Sequence, residues 1–134
     1  MKRNANQNSA FSLVEVLAAV GIIGIIAFLA IPNIVAIKED SERQLAITRA
    51  EGINMGVAAY IQANGRDVAA ASWPTGTSTE EIEERYTLIR PYLSFAPTTL
   101  AEFQPAGYVI TPPADLTNLV KSELKVKDGS AFSY

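Results

Sequence analysis

Glu15 is the only ionisable residue between Phe11 and Ile37, in a stretch that is otherwise almost entirely apolar. An unpaired carboxylate in a membrane-like medium costs at least a few kcal/mol, and a cation beside it removes most of that cost. The residue type and its position therefore predict ion-pair chemistry for Glu15. In the alternative interpretation, Glu15 lies near enough to the end of the stretch for its carboxylate to reach the membrane–water interface.

The remaining composition argues against an enzyme. The 134 residues include no cysteine and no histidine, which excludes disulfides, thiolate metal sites, cysteine nucleophiles and the commonest general base and metal ligand. The net charge is −3 and the basic residues are scattered, so no nucleic-acid interface is evident. Four glutamates in five residues, from Glu80 to Glu84, could suggest calcium, but on a helix they favour a solvated first turn. We expect no catalytic site, no cofactor and no metal.

The element that carries Glu15 is the apolar stretch itself. As a helix, residues 11–37 would be about 40 Å long, enough to cross a hydrocarbon core of about 30 Å. Lys2 and Arg3 precede it and favour a cytoplasmic N-terminus, with the remainder of the chain across the membrane. The stretch is longer than the apolar core of a secretory signal, about 7–15 residues, and no cleavage site follows it. Composition leaves an uncleaved signal anchor open, and Glu15 argues against it.

The octapeptide "AFSLVEVL" at residues 10–17 follows a short basic leader and begins the apolar stretch. This arrangement resembles the prepilin cleavage and methylation motif of type IV pilins and type II secretion pseudopilins. The resemblance covers about the first third of the chain. It implies that the leader, residues 1–10, is cleaved between Ala10 and Phe11 and that Phe11 is then N-methylated. Ala10 stands where the family usually has glycine.

The resemblance also implies a role for three residues of the apolar helix. Glu15 falls on the family glutamate, which neutralises the new amino terminus of a neighbouring subunit during assembly. Gly24 and Pro32 fall where the family places residues that weaken the helix, and a proline removes a helical hydrogen bond. For the isolated chain we expect a kinked but continuous helix.

From the resemblance we expect a structural subunit of a pilus-like filament, most specifically a type II secretion pseudopilin, with a type IV or competence-type (minor) pilin as the alternative. The implied partners are the prepilin peptidase/methyltransferase, other copies or homologous (pseudo)pilins, and an inner-membrane assembly platform. The implied location is the bacterial inner membrane, with a periplasmic head, and then a periplasmic or surface filament for protein secretion. A membrane-anchored periplasmic binding module is the alternative of another class.

Residues 38–64 continue the helix with an amphipathic pattern. Apolar or small residues step by three and four: Ala46, Ala50, Ile53, Val57, Tyr60/Ile61 and Asn64. The Asn64-Gly65 pair predicts the helix end, so one helix should run from about Ser12 to Ala63. Gly52 and Gly56 each weaken a helix, and close packing of the head against the helix would explain both.

Residues 65–134 should form a small head. Residues 65–79 suggest a loop anchored by Trp73, and Ser78 with Glu81 forms a capping box that predicts a helix over 79–90. Thr99 and Glu102 predict one further helical turn. Alternation around Asp128-Gly129 predicts a hairpin, and with residues 108–110 gives about three short strands. The expected fold class is α+β: a long N-terminal helix packed against a small antiparallel sheet, as in pilins.

Overall fold

The computed structural model describes residues 11–118 and 120–134, so the leader and Ala10 lie outside the described residues. The elements in chain order are α1 (Leu13–Asn64), α2 (Arg66–Ala71), α3 (Thr79–Ile89), a 3-10 turn (Arg90–Tyr92), α4 (Leu100–Phe103), β1 (Tyr108–Thr111) and β2 (Glu123–Val126). One long helix with a small antiparallel sheet confirms the expected α+β layout.

Helix α1 is continuous for 52 residues and passes through Pro32 without interruption. It ends at Asn64 because Gly65 takes a φ of 80°, a left-handed conformation that favours glycine. Both ends lie within one residue of the sequence prediction. By its length and composition, α1 could cross a membrane.

The described chain divides into two units, of which the first ends at Glu39 and the second is Asp40–Tyr134. In the described part of the first unit, every residue except the partly buried Ala30 is exposed, including Phe11 and Phe28. None of the residues that the structure describes covers the continuous apolar surface of this unit. Such a surface needs a lipid or protein environment.

The core of the second unit lies against one face of α1. The buried residues of the helix are Ala46, Ala50, Ile53, Gly56, Val57 and Tyr60. This confirms the predicted stripe up to Tyr60, while Ile61 is half-buried and Asn64 is exposed. Trp73 packs 5.6 Å from Tyr60, measured between ring centroids.

The sheet has two strands, and the prediction of about three strands is wrong for the described residues. Strands β1 and β2 pair antiparallel, with Ile110 opposite Leu124, and both of these side chains are buried. After the turn at Gly129 the chain returns, but only one further bridge forms, between Lys125 and Ala131. A third strand does not continue beyond this bridge. At Ser122 the carbonyl accepts the side-chain hydroxyl of Tyr134, whereas a longer strand would need a backbone N–H as the donor there.

The loop predicted for residues 65–79 contains a short helix, α2. Its sequence, RDVAAA, ends in three alanines, the residue with the highest helix propensity, and Ala69 is fully buried. The predicted role of Trp73 as an anchor is confirmed. Its indole is buried, and its Nε1–H donates to the Pro113 carbonyl at 2.8 Å.

The two predicted helix caps are confirmed. Ser78 and Glu81 form a complete capping box at the start of α3, and the Thr99 side chain accepts the Glu102 N–H at the start of α4. Helix α3 ends at Ile89, one residue before the predicted end. Pro91 has no N–H for a further α-helical bond, and the chain continues as a 3-10 turn.

Close packing explains Gly56 but not Gly52. A Cβ placed on Gly56 would lie 2.8 Å from Leu93 Cδ2 and 3.5 Å from Ile89 Cβ, whereas one on Gly52 would meet only Phe103 Cζ at 3.9 Å. The head therefore approaches α1 more closely at Gly56 than at Gly52.

This difference predicts opposite results for two matched substitutions. Gly52→Ala should raise the free energy of unfolding by roughly 0.5–1 kcal/mol, because alanine is the better helix former and the site has room. Gly56→Ala should show no net gain, because Leu93 must move. Urea unfolding of the full chain in detergent measures both, and a clear stabilisation by Gly56→Ala would contradict the packing argument.

Candidate functional site

Glu15 occupies the first turn of α1, where it closes a capping box with Ser12. The Ser12 N–H donates to Glu15 Oε2 at 2.8 Å, and the Glu15 N–H donates to Ser12 Oγ at 3.4 Å. This reciprocal pair begins the helix at Leu13 and leaves Phe11 and Ser12 outside it. The sequence analysis missed this cap, for which the pattern Ser-x-x-Glu at residues 12–15 was the available signal.

The Glu15 carboxylate retains the capacity to bind a cation. A carboxylate has about four lone-pair positions, and the Ser12 N–H uses one of them. Glu15 is exposed and lies beside Phe11 along a shallow cleft of about 400 Å³, lined also by Val16, Ala19 and Val20. The structure thus brings the predicted methylation residue and the predicted assembly residue to one apolar surface.

Gly24 and Pro32 lie on the same helix, farther along its exposed apolar segment. A Cβ on Gly24 would meet nothing within 4 Å, so packing inside this chain does not require glycine there. Pro32 lies inside the helix and cannot donate a backbone hydrogen bond to the preceding turn. Their predicted role in weakening the helix stays a prediction.

Arg85 is a structural residue that the sequence analysis missed. Its side chain is 1% exposed, and its guanidinium donates to the carbonyls of Pro74 at 2.8 Å, Pro112 at 2.9 Å and Gly76. Burial lowers the pKa of the guanidinium, and the negative charge of Glu81 opposes that change. One side chain therefore joins α3, the loop before it and the segment after β1. Its spacing, three residues after Ile82 and four before Ile89, was the available signal.

The four acidic residues of α3 divide into two kinds. Glu80 and Glu84 are exposed, as predicted for a solvated helix start. Glu81 closes the capping box, and hydrogen bonds from Ser78 hold its pKa below the ordinary value. Glu83 Oε1 accepts the Leu100 N–H at 2.7 Å, which fixes α4 against α3. Within residues 11–118 and 120–134, no group of three or more acidic side chains could hold a metal ion.

A second polar group, which we call the Tyr134 latch, holds the C-terminal segment against α1. It comprises Glu51, Asn54, Lys121, Ser122 and Tyr134. The Tyr134 hydroxyl donates to the Ser122 carbonyl at 2.6 Å and accepts from Asn54 Nδ2 at 3.3 Å. Asn54 Oδ1 accepts the Ser122 N–H at 2.8 Å, and Lys121 Nζ contacts Glu51 Oε1 at 2.6 Å. The contacts with α1 join residues 68 to 80 positions apart in the sequence, so local patterns did not reveal them.

The latch predicts a loss of stability at alkaline pH. Burial raises the pKa of the Tyr134 phenol above its ordinary 10.0, so between the two values the folded state holds more protons than the unfolded state. The free energy of unfolding should therefore fall as the pH rises above about 10.

Tyr134→Phe tests this prediction. The variant should be less stable at pH 8 by about 1 kcal/mol, because the Ser122 carbonyl loses its donor, and its alkaline decline should be shallower. Urea unfolding of the full chain in detergent at pH 8 and pH 10.5 measures both effects. Tyr108→Phe, which leaves the latch intact, is the control at pH 8. An unchanged alkaline decline in Tyr134→Phe would contradict the assignment.

In the comparisons with known proteins, the chain matches no family model, no curated protein and no solved structure.

Proposed function

We propose that the chain is a structural subunit of a pilus-like filament, most specifically a type II secretion pseudopilin. In this proposal the leader is removed between Ala10 and Phe11, Phe11 is N-methylated, and the subunits polymerise through the first part of α1. The observation that carries the proposal is the position of Glu15, a single carboxylate beside Phe11 on an exposed surface that is otherwise almost entirely apolar.

The charge of Glu15 supports assembly rather than simple anchoring. A helix that only anchored a head would insert into the membrane with a lower free-energy cost if it had no carboxylate near its start. Cleavage before Phe11 would create a positively charged amino terminus at the same level of the helix. In a low dielectric, the carboxylate of one copy and the amino terminus of the next attract strongly, and each relieves the desolvation cost of the other. The pair would also fix the register between adjacent helices.

The exposed apolar surface supports the same conclusion. The described part of the first unit buries none of its large side chains. Lipid covers this surface before assembly, and the same segments of other copies cover it in a filament. The partners of the proposed subunit are a prepilin peptidase/methyltransferase, an inner-membrane assembly platform and other (pseudo)pilins. The head would be periplasmic, and the protein would do no catalysis.

The runner-up within this class is a type IV or competence-type (minor) pilin, which would use the same N-terminal chemistry. A membrane-anchored binding module would need neither cleavage before Phe11 nor the charge of Glu15. Processing therefore separates the filament class from the anchored module.

The test is the intact mass of the membrane-extracted protein, expressed with a prepilin peptidase. The expected mass corresponds to loss of residues 1–10 and gain of one methyl group on Phe11. Ala10→Gly should be processed equally or faster, and Ala10→Leu should remain full length because the small residue before the cut is lost. A wild-type chain that keeps its leader under conditions that process Ala10→Gly would overturn the proposal.

A further inference from the structure

Phe95 projects from the head, and no contact with the described residues explains its position. Its side chain is fully exposed, with a relative exposure of 102%, and its φ of 55° lies in the left-handed region that bulky residues avoid. The loop on both sides is anchored. Leu93 packs against α1 at Gly56, and the Tyr86 hydroxyl donates to the Pro97 carbonyl at 2.9 Å. The anchored flanks hold this residue in place. Its positive φ and the exposure of its ring to water each disfavour the fold of the isolated chain.

The same unit contains an open cleft large enough for an aromatic ring. The cleft has a volume of about 630 Å³ and is lined by residues of α3 and of the segment after β1, among them Ile82, Pro112 and Pro113. A cavity of about 150 Å³ is enough to hold benzene.

Arg85 lies in the wall of the cleft, but its guanidinium already donates to three backbone carbonyls. The wall also includes Asp115, Glu123 and Lys121, and Lys121 pairs with Glu51. Because two carboxylates line the wall and most of its exposed area is apolar, the cleft suits an apolar occupant better than an anion.

The size of Phe95 limits what can bind it. An aromatic side chain buries roughly 150–250 Å², whereas a stable complex needs about 800 Å² from each partner. This contact cannot by itself hold a protein that diffuses freely. It can contribute only between molecules that another contact already holds together. In the proposed filament, the apolar segment of α1 holds copies of this chain in one membrane and packs against the same segment of the next copy, which supplies such a contact.

We propose that Phe95 of one copy inserts into the cleft beside Ile82 and Pro112 of the next copy. The inference rests on the proposed filament function. Because Phe95 and the cleft are different surfaces of one head, each copy uses both, and the contact repeats along a line of subunits instead of closing a dimer. The contact sets the rotation between successive heads, while the pair at Glu15 sets the register of the helices.

The test places a photo-reactive benzoylphenylalanine at position 95 of the full chain in its native membrane. On irradiation it should capture a second copy, and mass spectrometry should locate the link in the peptide that contains Pro112 and Pro113. The same probe at Glu84, which is exposed on α3, is the control and should give little capture. Links from position 95 to lipid, to a different protein, or to residue 95 of another copy would overturn the inference.

A second variant separates the contact from any effect on folding. Phe95→Gly removes the ring, and glycine adopts the positive φ without strain, so the thermal midpoint should not fall. With the photo-reactive residue moved to Thr77 at the cleft, capture of a neighbouring copy should drop by about fivefold or more in Phe95→Gly. Unchanged capture would overturn the inference, whether or not the thermal midpoint falls.

Failure of this contact is distinguishable from failure of the filament proposal. The chain has no cysteine, so a single cysteine at Val20 reports contact between apolar helices by oxidative cross-linking. Helix cross-links that persist while position 95 captures no second copy overturn the head contact and leave the filament proposal intact. Loss of helix cross-links counts against the filament proposal, and absence of capture at position 95 then overturns the head contact as well.

Discussion

Filament formation is expected to fall by about 100-fold or more when Glu15 is replaced by glutamine, with membrane insertion unchanged. Glutamine keeps a side-chain oxygen that can accept the Ser12 N–H, so the start of α1 is preserved. It removes only the negative charge. In the proposed assembly this leaves the amino terminus of the neighbouring Phe11 unpaired in a low dielectric, and breaking one side of a buried pair costs about 3–5 kcal/mol.

Two control variants separate the charge from the cap. Ser12→Ala removes the hydroxyl that accepts the Glu15 N–H but keeps the carboxylate, so assembly should stay within a few-fold of wild type. Glu39→Ala removes an exposed carboxylate just beyond the apolar segment and should have no effect. Oxidative cross-linking at Val20 and the yield of sheared filaments measure assembly. Normal filaments from Glu15→Gln, or equal loss in Glu39→Ala, would refute the ion-pair role.

The second large effect concerns Arg85. Arg85→Leu should lower the free energy of unfolding of the head by about 3 kcal/mol. Leucine fills part of the volume, but the carbonyls of Pro74, Gly76 and Pro112 lose charge-assisted donors in a buried place. The loop before α3 and the segment after β1 would then lose the side chain that joins them.

The matched controls lie nearby on the same helix and turn. Arg90→Leu, at an exposed position, should change stability by less than about 0.5 kcal/mol. Arg85→Lys should recover little of the stability that Arg85→Leu loses, because one ammonium group cannot reproduce the planar guanidinium that reaches three separate carbonyls. Urea unfolding of the full chain in detergent, followed by the fluorescence of Trp73, the only tryptophan, measures these effects. Equal stability of Arg85→Leu and wild type would refute the bracing role.

The sequence predicted helix α1 and the N-terminal caps of α3 and α4 well, because each of these features depends on neighbouring residues. The buried stripe through Ala50, Ile53 and Val57 follows the helical period, and Gly65 ends the helix through its own backbone freedom. Ser78 with Glu81 and Thr99 with Glu102 are bonds across three positions, which a linear pattern already specifies.

Predictions failed where a local pattern competed with a distant partner. The alternation around Asp128-Gly129 indicated a third strand after the turn, but the Tyr134 side chain takes the place of a backbone donor at Ser122, and only one bridge remains. Glu83 looked like a solvated residue of the first turn, yet it accepts the Leu100 N–H, 17 positions away. The segment Arg66–Ala71 lies in the predicted loop but forms helix α2, because burial of Ala69 favours the helix.

The sequence by itself determined the helix, its apolar segment and the placement of Glu15 beside the predicted cut, since all three are properties of consecutive residues. Only the tertiary structure decided which polar side chains hold the head together. Arg85 binds the Pro112 carbonyl, 27 positions away, and Tyr134 binds Asn54, 80 positions away. The cost of burying an unpaired polar group makes those contacts specific. The exposure of Phe95 likewise appears only after folding, because anchored residues on both sides of the loop decide where its side chain must point.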